Sequence, residues 1–405
     1  MGCVADERQG PGRAVETAPM TRRDRLMATL QGQPVDRPAV SFYELNGLDE
    51  RPEDSDPFNI YADPSWRPLI ELTRERTDRI VMRSPDFRDG PRDPVVRLSE
   101  TEVTMRGGSR YTVRRLRLSG GAGSQTRASK VLTCRTRRDP DVNTEWVEEP
   151  LLKGAADLEA FLRLPRPAPR RAVDPSAVLE AESALGDAGI VMIDTADPLC
   201  LAASLFDMAE YTVVALTERK LFRELLDWFA EALLAETEVI SAALPGRLWR
   251  IYGPEYASPP YLPPALFPDY VCRYERPMVE AIQRHGGYAR IHSHGNLKAI
   301  LDDIASMGPD GLDPIEPPPQ GDVELDYVRE RYGESIVLFG NLEVSDIENL
   351  ATGESVEKVR RALEQGTAGS GRGFVLMPTA CPYGRKLSPL TLRNYEAMVE
   401  AAQSF

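Results

Sequence analysis

Two histidines stand close together in a chain that has very few. The sequence contains three histidines, and His292 and His294 are separated by a single serine directly after an apolar segment. Alternate residues of a strand point to the same face, so both imidazoles are expected to face one site. Neutral imidazole nitrogens are common zinc ligands. The pair therefore predicts the first half of a zinc site.

Two further residues are candidates to complete that site. Cys381 follows the last apolar segment of the chain, and Glu255 follows an earlier one. A thiolate, a carboxylate and two imidazoles are a ligand set that zinc accepts. The alternative is a metal-free site in which the histidines hydrogen-bond and orient the substrate. In that case His292, Tyr43 and Asp86 are the candidates to bind or protonate the substrate.

Other polar residues follow apolar segments in the same way. Each alone is typical of a structural hydrogen bond, whereas together they predict a polar cavity lined by carboxylates. The candidates for substrate binding are Asp194, Tyr252, Asn296, Glu316 and Asn341.

Strand and helix patterns alternate along most of the chain. Such alternation predicts parallel strands joined by right-handed crossovers, and eight units close into an α/β (β/α)8 TIM barrel. The active site is then expected at the C-terminal ends of the strands. The eight predicted strands are residues 39–43, 79–82, 189–193, 249–252, 288–292, 311–315, 336–339 and 373–377.

Residues 93–149 interrupt this alternation and lack helical spacing. Strand patterns at 95–96, 101–105, 111–118 and 130–136, with glycine turns at 107–108 and 120–123, predict an antiparallel β insertion. We expect it to belong to a single domain of residues 20–405, preceded by a disordered extension of residues 1–19. Residues 106–138 carry ten cationic side chains and no acidic one. They predict either a surface that meets an anionic substrate or partner, or a hairpin of solvated arginines.

Composition excludes several classes of protein. The net charge of −14 argues against a nucleic-acid binder. No run of about 18 apolar residues is present, so no membrane span is expected. The five cysteines are scattered and odd in number, which is typical of reduced thiols in the cytoplasm rather than of a disulfide framework.

An ordered series of segments resembles the uroporphyrinogen decarboxylase superfamily. The series comprises residues 21–40, 292–296, 308–317, 332–333 and 338–342. The resemblance extends from about residue 20 to the C-terminus, is weakest over 90–150, and implies a (β/α)8 barrel. True uroporphyrinogen decarboxylases carry an Arg-Gln-Ala-Gly-Arg segment that binds substrate carboxylates, and residues 42–48 lack it.

The resemblance therefore favours the zinc-dependent methyltransferases of the superfamily, which move methyl groups between a corrinoid protein and an acceptor. Their zinc motif is His-x-Cys with a later cysteine. His292 and Cys381 match it, and His294 replaces the middle cysteine. The corrinoid is expected on a separate protein, because no Asp-x-His-x-x-Gly pattern occurs here. The alternatives are a metal-independent decarboxylase or lyase of a carboxylated substrate, and a barrel that binds without catalysing.

Overall fold

Eight parallel strands form the centre of the molecule. The computed structural model describes residues 19–90, 94–118 and 130–405. Residues 1–18 and the predicted glycine turn at 120–123 lie outside the described residues. The strands are β1 (Ala39–Val40), β2 (Arg79–Met82), β3 (Gly189–Ala196), β4 (Leu248–Tyr252), β5 (Tyr288–Ser293), β6 (Gly311–Pro314), β7 (Val337–Leu342) and β8 (Phe374–Pro378).

The order of these strands is that of a barrel. Their order in the sheet is β1-β8-β7-β6-β5-β4-β3-β2. The remaining gap, between β1 and β2, is spanned by a hydrogen bond of 2.7 Å from the Asp78 N–H to the Val40 carbonyl. The predicted (β/α)8 fold is confirmed, and all eight strands lie where the sequence predicts them.

Helices surround the barrel. Residues 264–284 do not form one continuous helix, since Pro264–Leu266 forms a 3-10 turn and Pro268–Cys272 a π turn before the α-helix that begins at Arg273. The helices are α1 (Arg22–Leu30), α2 (Arg67–Arg76), α3 (Pro94–Leu98), α4 (Ala155–Phe161), α5 (Ser176–Leu185), α6 (Pro198–Ala203), α7 (Met208–Thr217), α8 (Arg219–Ala243), α9 (Arg273–Arg284), α10 (Leu301–Ser306), α11 (Leu325–Tyr332), α12 (Val344–Asn349), α13 (Thr352–Gly366) and α14 (Pro389–Ser404). Among the described residues, no helix is long and apolar enough to cross a membrane.

The first helix helps to fill one end of the barrel. The Thr21 hydroxyl accepts a hydrogen bond from the Asp24 N–H at 3.0 Å, which fixes the start of α1. Leu26 and Leu30 of this helix join the inward-facing apolar cluster that includes Ile80 and Met192. Because the interior is packed with side chains, the polar residues at the C-terminal ends of the strands form the open mouth.

The insertion is an antiparallel sheet, as predicted. Its strands are Ser99–Arg106, Ser109–Leu118, Lys130–Arg138 and Glu145–Glu149, in that order. The prediction of a strand at 95–96 is wrong, because Pro94 begins the short helix α3 there. The sequence did not predict the fourth strand, whose acidic residues give no apolar alternation. Several arginines of the basic stretch pair with flanking acids, as Arg117 does with Glu100.

Candidate functional site

A buried row of charged side chains ends at His292. The Nδ1 atom of His292 lies 2.8 Å from Oδ2 of Asp313. The Oδ1 atom of Asp313 lies 3.0 Å from Nε of Arg290. Asp313 and Arg290 are fully buried, and His292 is 6% exposed. Burial would raise the pKa of Asp313, but Arg290 and His292 outweigh it and hold that pKa below its usual value. The carboxylate therefore fixes the orientation of the imidazole.

Arg290 is an unusual residue for the inside of a barrel. No nitrogen of its guanidinium has an aligned hydrogen bond within the described part of the chain. The group lies instead between two rings, 4.7 Å from the centre of Tyr43 and 4.9 Å from that of Phe339. Its charge is therefore stabilised by Asp313 and by the faces of these rings.

His294 forms a second pair with a carboxylate. Its Nδ1 atom lies 2.7 Å from Oε1 of Glu316, whose Oε2 accepts the Gly295 N–H at 2.5 Å. Burial lowers the pKa of His294, yet Glu316 outweighs it and raises the pKa to about 9. At neutral pH, His294 is therefore a cation paired with a carboxylate.

The two imidazoles adjoin each other although only one lies on a strand. β5 ends at Ser293, so His294 lies in the loop and not on the strand face that alternation predicted. The ring centres of His292 and His294 are nevertheless 4.7 Å apart and the rings are almost perpendicular. Both Nδ1 atoms are engaged, whereas neither Nε2 atom has a hydrogen bond to a residue that the structure describes.

A second network lies beside His292. Arg250 binds Asp194 through two hydrogen bonds of 2.6 and 3.1 Å, and its Nη1 atom donates to the Tyr43 hydroxyl at 3.2 Å. The same hydroxyl donates to Glu44 at 3.2 Å. The ring of Tyr43 lies 6.5 Å from that of His292. Strand register explains the contact, because Arg250 of β4 is opposite Asp194 of β3.

Known proteins share features of both the sequence and the fold. The family model of uroporphyrinogen decarboxylase (URO-D) matches residues 147–405, which is more than half of the chain. This chain belongs to the URO-D family. Its structure is similar to that of a methyltransferase from Methanosarcina mazei, with a TM-score of 0.56 and 17% sequence identity over 95% of this chain and 99% of that chain. At that identity, the likeness is one of fold. No curated protein matches the chain.

In this URO-D family member, the described contacts of Cys381 do not include either histidine. Its N–H donates to Glu44 at 2.8 Å, and its side chain packs in a small pocket with Phe42 and Tyr395. Burial, together with Glu44 and Glu50, raises the pKa of the thiol well above its usual value. Without a bound cation, the protonated thiol is therefore favoured over the thiolate.

Glu255 also lies outside an assembled ligand set. Its carboxylate accepts the Gly253 N–H at 3.2 Å. Its charge contributes to the raised pKa of His294. Among the residues that the structure describes, no group of three or more histidine, cysteine, aspartate or glutamate side chains is arranged to hold a metal ion. The histidine pair, with each Nδ1 atom fixed by a carboxylate, fits two zinc ligands.

The other candidate residues are distributed around the mouth. Tyr252 lies next to Arg250, whose guanidinium is 5.2 Å from its ring centre. Asn296 is half-buried in the loop after His294. Asn341 lines a neighbouring cleft together with Glu343, whose pKa burial and Glu316 raise to about 7.

Asp86 is a further candidate that is not brought to the histidines. Asp86 is exposed and lies in a two-residue strand that pairs with Val173–Asp174. Asp86 therefore has no described contact with His292.

Three residues of the site were missed by sequence reasoning. Arg250, Arg290 and Asp313 are charged side chains within otherwise apolar strands. Such residues need a partner when buried, and that requirement is the signal that would have found them. Arg290 also precedes His292 by two residues, so alternation places both on one face.

Proposed function

We propose that this chain is a methyltransferase that acts on a small molecule at the mouth of its barrel, with His292 and His294 as the central pair. The observation that carries the proposal is the arrangement of two adjacent imidazoles, each fixed at Nδ1 by a carboxylate. The structural neighbour from Methanosarcina mazei supports the reaction class, as a methyltransferase that aligns over 95% of this chain.

The proposal includes a zinc ion held by His292 and His294. Such an ion lowers the pKa of an acceptor group, for example a thiol or an amine. Metal binding at His294 would release the proton that Glu316 stabilises there. The methyl group would come from a corrinoid on a separate protein.

The chain's own residues have defined tasks in this proposal. Asp313 and Glu316 orient the two imidazoles. Asp194 fixes Arg250, whose remaining donor holds the Tyr43 hydroxyl. Arg250 and Tyr43 thus form a polar wall for the substrate beside His292.

Metal content and methyl transfer test the proposal together. We expect protein purified without chelators to contain about one zinc per chain by elemental mass spectrometry. His292→Ala should lose both the zinc and the demethylation of methylcobalamin in the presence of a small thiol. Asp313→Asn should lower metal affinity or activity by about 10–100-fold, because it changes the partner that orients His292.

Cys381→Ala is the matched control for the ligand set. Because the described contacts of Cys381 are with Glu44 and with a pocket lined by Phe42 and Tyr395, and not with the histidines, this variant should retain its zinc. Loss of zinc from Cys381→Ala would contradict our ligand assignment. Folded protein that takes up no zinc, even when zinc is offered, would remove the metal from the proposal.

A metal-independent decarboxylase or lyase is the second candidate function. Two buried guanidinium groups, Arg250 and Arg290, lie inside the barrel near His292. Cationic groups at this position suit a carboxylated substrate. Turnover of such a substrate that survives a strong chelator would favour this function over the methyltransferase.

A further inference from the structure

The antiparallel insertion exposes an uncommon amount of apolar surface. Among the described residues, seven of the fourteen exposed large hydrophobic side chains lie between residues 96 and 147. Four of the seven belong to residues 96–105, and Val103 and Met105 of this group are 57% and 56% exposed. This segment includes Ser99–Arg106, the first strand of the sheet, which we call the edge strand. Val103 and Met105 lie on this strand, whereas Val96 and Leu98 lie in α3 directly before it. Exposed apolar side chains grouped in this way are typical of an interaction surface.

The backbone of the edge strand is also available for pairing. Gly107 and Gly108 have φ of 59° and 87° and form a two-residue turn, so Arg106 and Ser109 are the hydrogen-bonded pair that flanks it. Bonded and non-bonded positions alternate along an antiparallel ladder. The N–H and C=O groups of Thr101, Val103 and Met105 therefore point to the open side. Within the described part of the chain, no strand pairs with that side.

We propose that a second copy of this chain binds the edge strand, antiparallel and around a two-fold axis at Val103. The two sheets then form one continuous sheet of two copies. In this register, Val103 pairs with Val103 of the second copy, and Thr101 pairs with Met105. On the outer face, Glu100, which also pairs with Arg117 of its own chain, lies opposite Arg106 of the second copy, twice by symmetry. Arg106 makes no ion pair within its own chain, among the residues described, so its charge is free for this contact.

The charges of the edge strand select this register. An axis at Thr101 would place Glu100 opposite Glu102 of the second copy, and like charges directly opposite are unfavourable. An axis at Met105 would pair the strand over fewer residues, because the turn begins at Gly107. An axis at an even-numbered residue would bring together backbone groups that already bond within the sheet.

The opposite edge of the sheet is less suited to a second copy. That edge is the strand Glu145–Glu149, which is five residues long. It also carries two exposed apolar side chains, Trp146 and Val147, but its other three residues, Glu145, Glu148 and Glu149, are acidic. Two copies of this strand would repel each other, so charge favours the edge strand as the self-pairing one.

Cross-linking through the two-fold axis tests the proposal. In Val103→Cys, the two thiols meet across the axis at the spacing of opposed residues, about 5.5 Å between Cα atoms, which a disulfide spans. Under mild oxidation this variant should form a covalent dimer. In Glu100→Cys the thiols of the two copies are six residues apart along the strand, about 20 Å, and should not cross-link beyond the level of the unaltered chain.

Disruption of the same contact gives an independent measurement. Val103→Asp places two carboxylates opposite each other and should raise the dimer dissociation constant at least about tenfold, as measured by mass photometry. Val131→Asp, at an exposed valine on an inner strand of the same sheet, should leave the constant unchanged. A chain that is monomeric at all concentrations, or a dimer that Val103→Asp leaves intact and Val103→Cys does not cross-link, would overturn the proposal.

Discussion

Replacing Asp313 by alanine is expected to lower the free energy of unfolding by about 3–5 kcal/mol, the usual cost of removing one partner of a buried ion pair. The change leaves the cationic Arg290 inside the barrel without its carboxylate, although both residues are fully buried. The contacts of Arg290 with the rings of Tyr43 and Phe339 stabilise its charge by only about 0.5–2 kcal/mol, which is less than the carboxylate contributes. Urea unfolding followed by circular dichroism measures the difference.

An exposed ion pair provides the matched control. Arg361 and Glu324 lie 3.3 Å apart with side chains 64% and 46% exposed, so Glu324→Ala should cost less than about 1 kcal/mol. Combining Asp313→Ala with Arg290→Leu removes the unpaired charge and should recover part of the loss. If Asp313→Ala lowered the free energy of unfolding as little as Glu324→Ala, the buried ion pair would not stabilise the fold in the way we describe.

The barrel could be predicted because its strands are short apolar runs followed by helices. β5 and β7 illustrate this pattern, since every residue from Ala289 to Ser293 and from Val337 to Leu342 is buried. Runs of this kind are typical of parallel strands that are covered on both faces. The strand Glu145–Glu149 has no such pattern, because its position depends on pairing with Lys130–Arg138 rather than on burial of its own side chains.

The site was predicted only in part, because contacts between strands depend on their register. Alternation placed His292 at the mouth, but it did not specify that Asp313 of the neighbouring strand would be directly opposite. The second reason why the prediction of the site was incomplete is that some candidates lie in loops, whose paths the strand pattern does not specify. The side-chain direction of Cys381 depends on the path of the chain after β8, and Asp86 likewise follows a loop after β2. Residue type identified these candidates, and tertiary structure decided which of them meet.

The contribution of one buried pair of carboxyl groups to stability is expected to fall as the pH rises from about 4 to about 8. Burial raises the pKa of Asp197 to about 8, with Glu255 adding to the effect, and burial and Asp197 raise that of Glu275 well above its usual value. Cys200 and Tyr211 also adjoin this pair. The folded state therefore retains protons that the unfolded chain releases above its carboxyl pKa of about 4. The stabilising contribution is present below about pH 4 and is lost as the pH approaches the folded pKa.

Glu275→Gln tests this pH dependence, since glutamine keeps the shape of the side chain and does not titrate. Each retained proton changes the free energy of unfolding by up to about 1.4 kcal/mol per pH unit in this window. The free energy of unfolding of the variant should therefore change less with pH than that of the unaltered chain. At pH 8 the variant should be the more stable of the two, relative to their difference at pH 4. Glu280→Gln, at an exposed position of the same helix α9, should follow the unaltered profile. Parallel profiles for Glu275→Gln and the unaltered chain would mean that Glu275 holds no such proton.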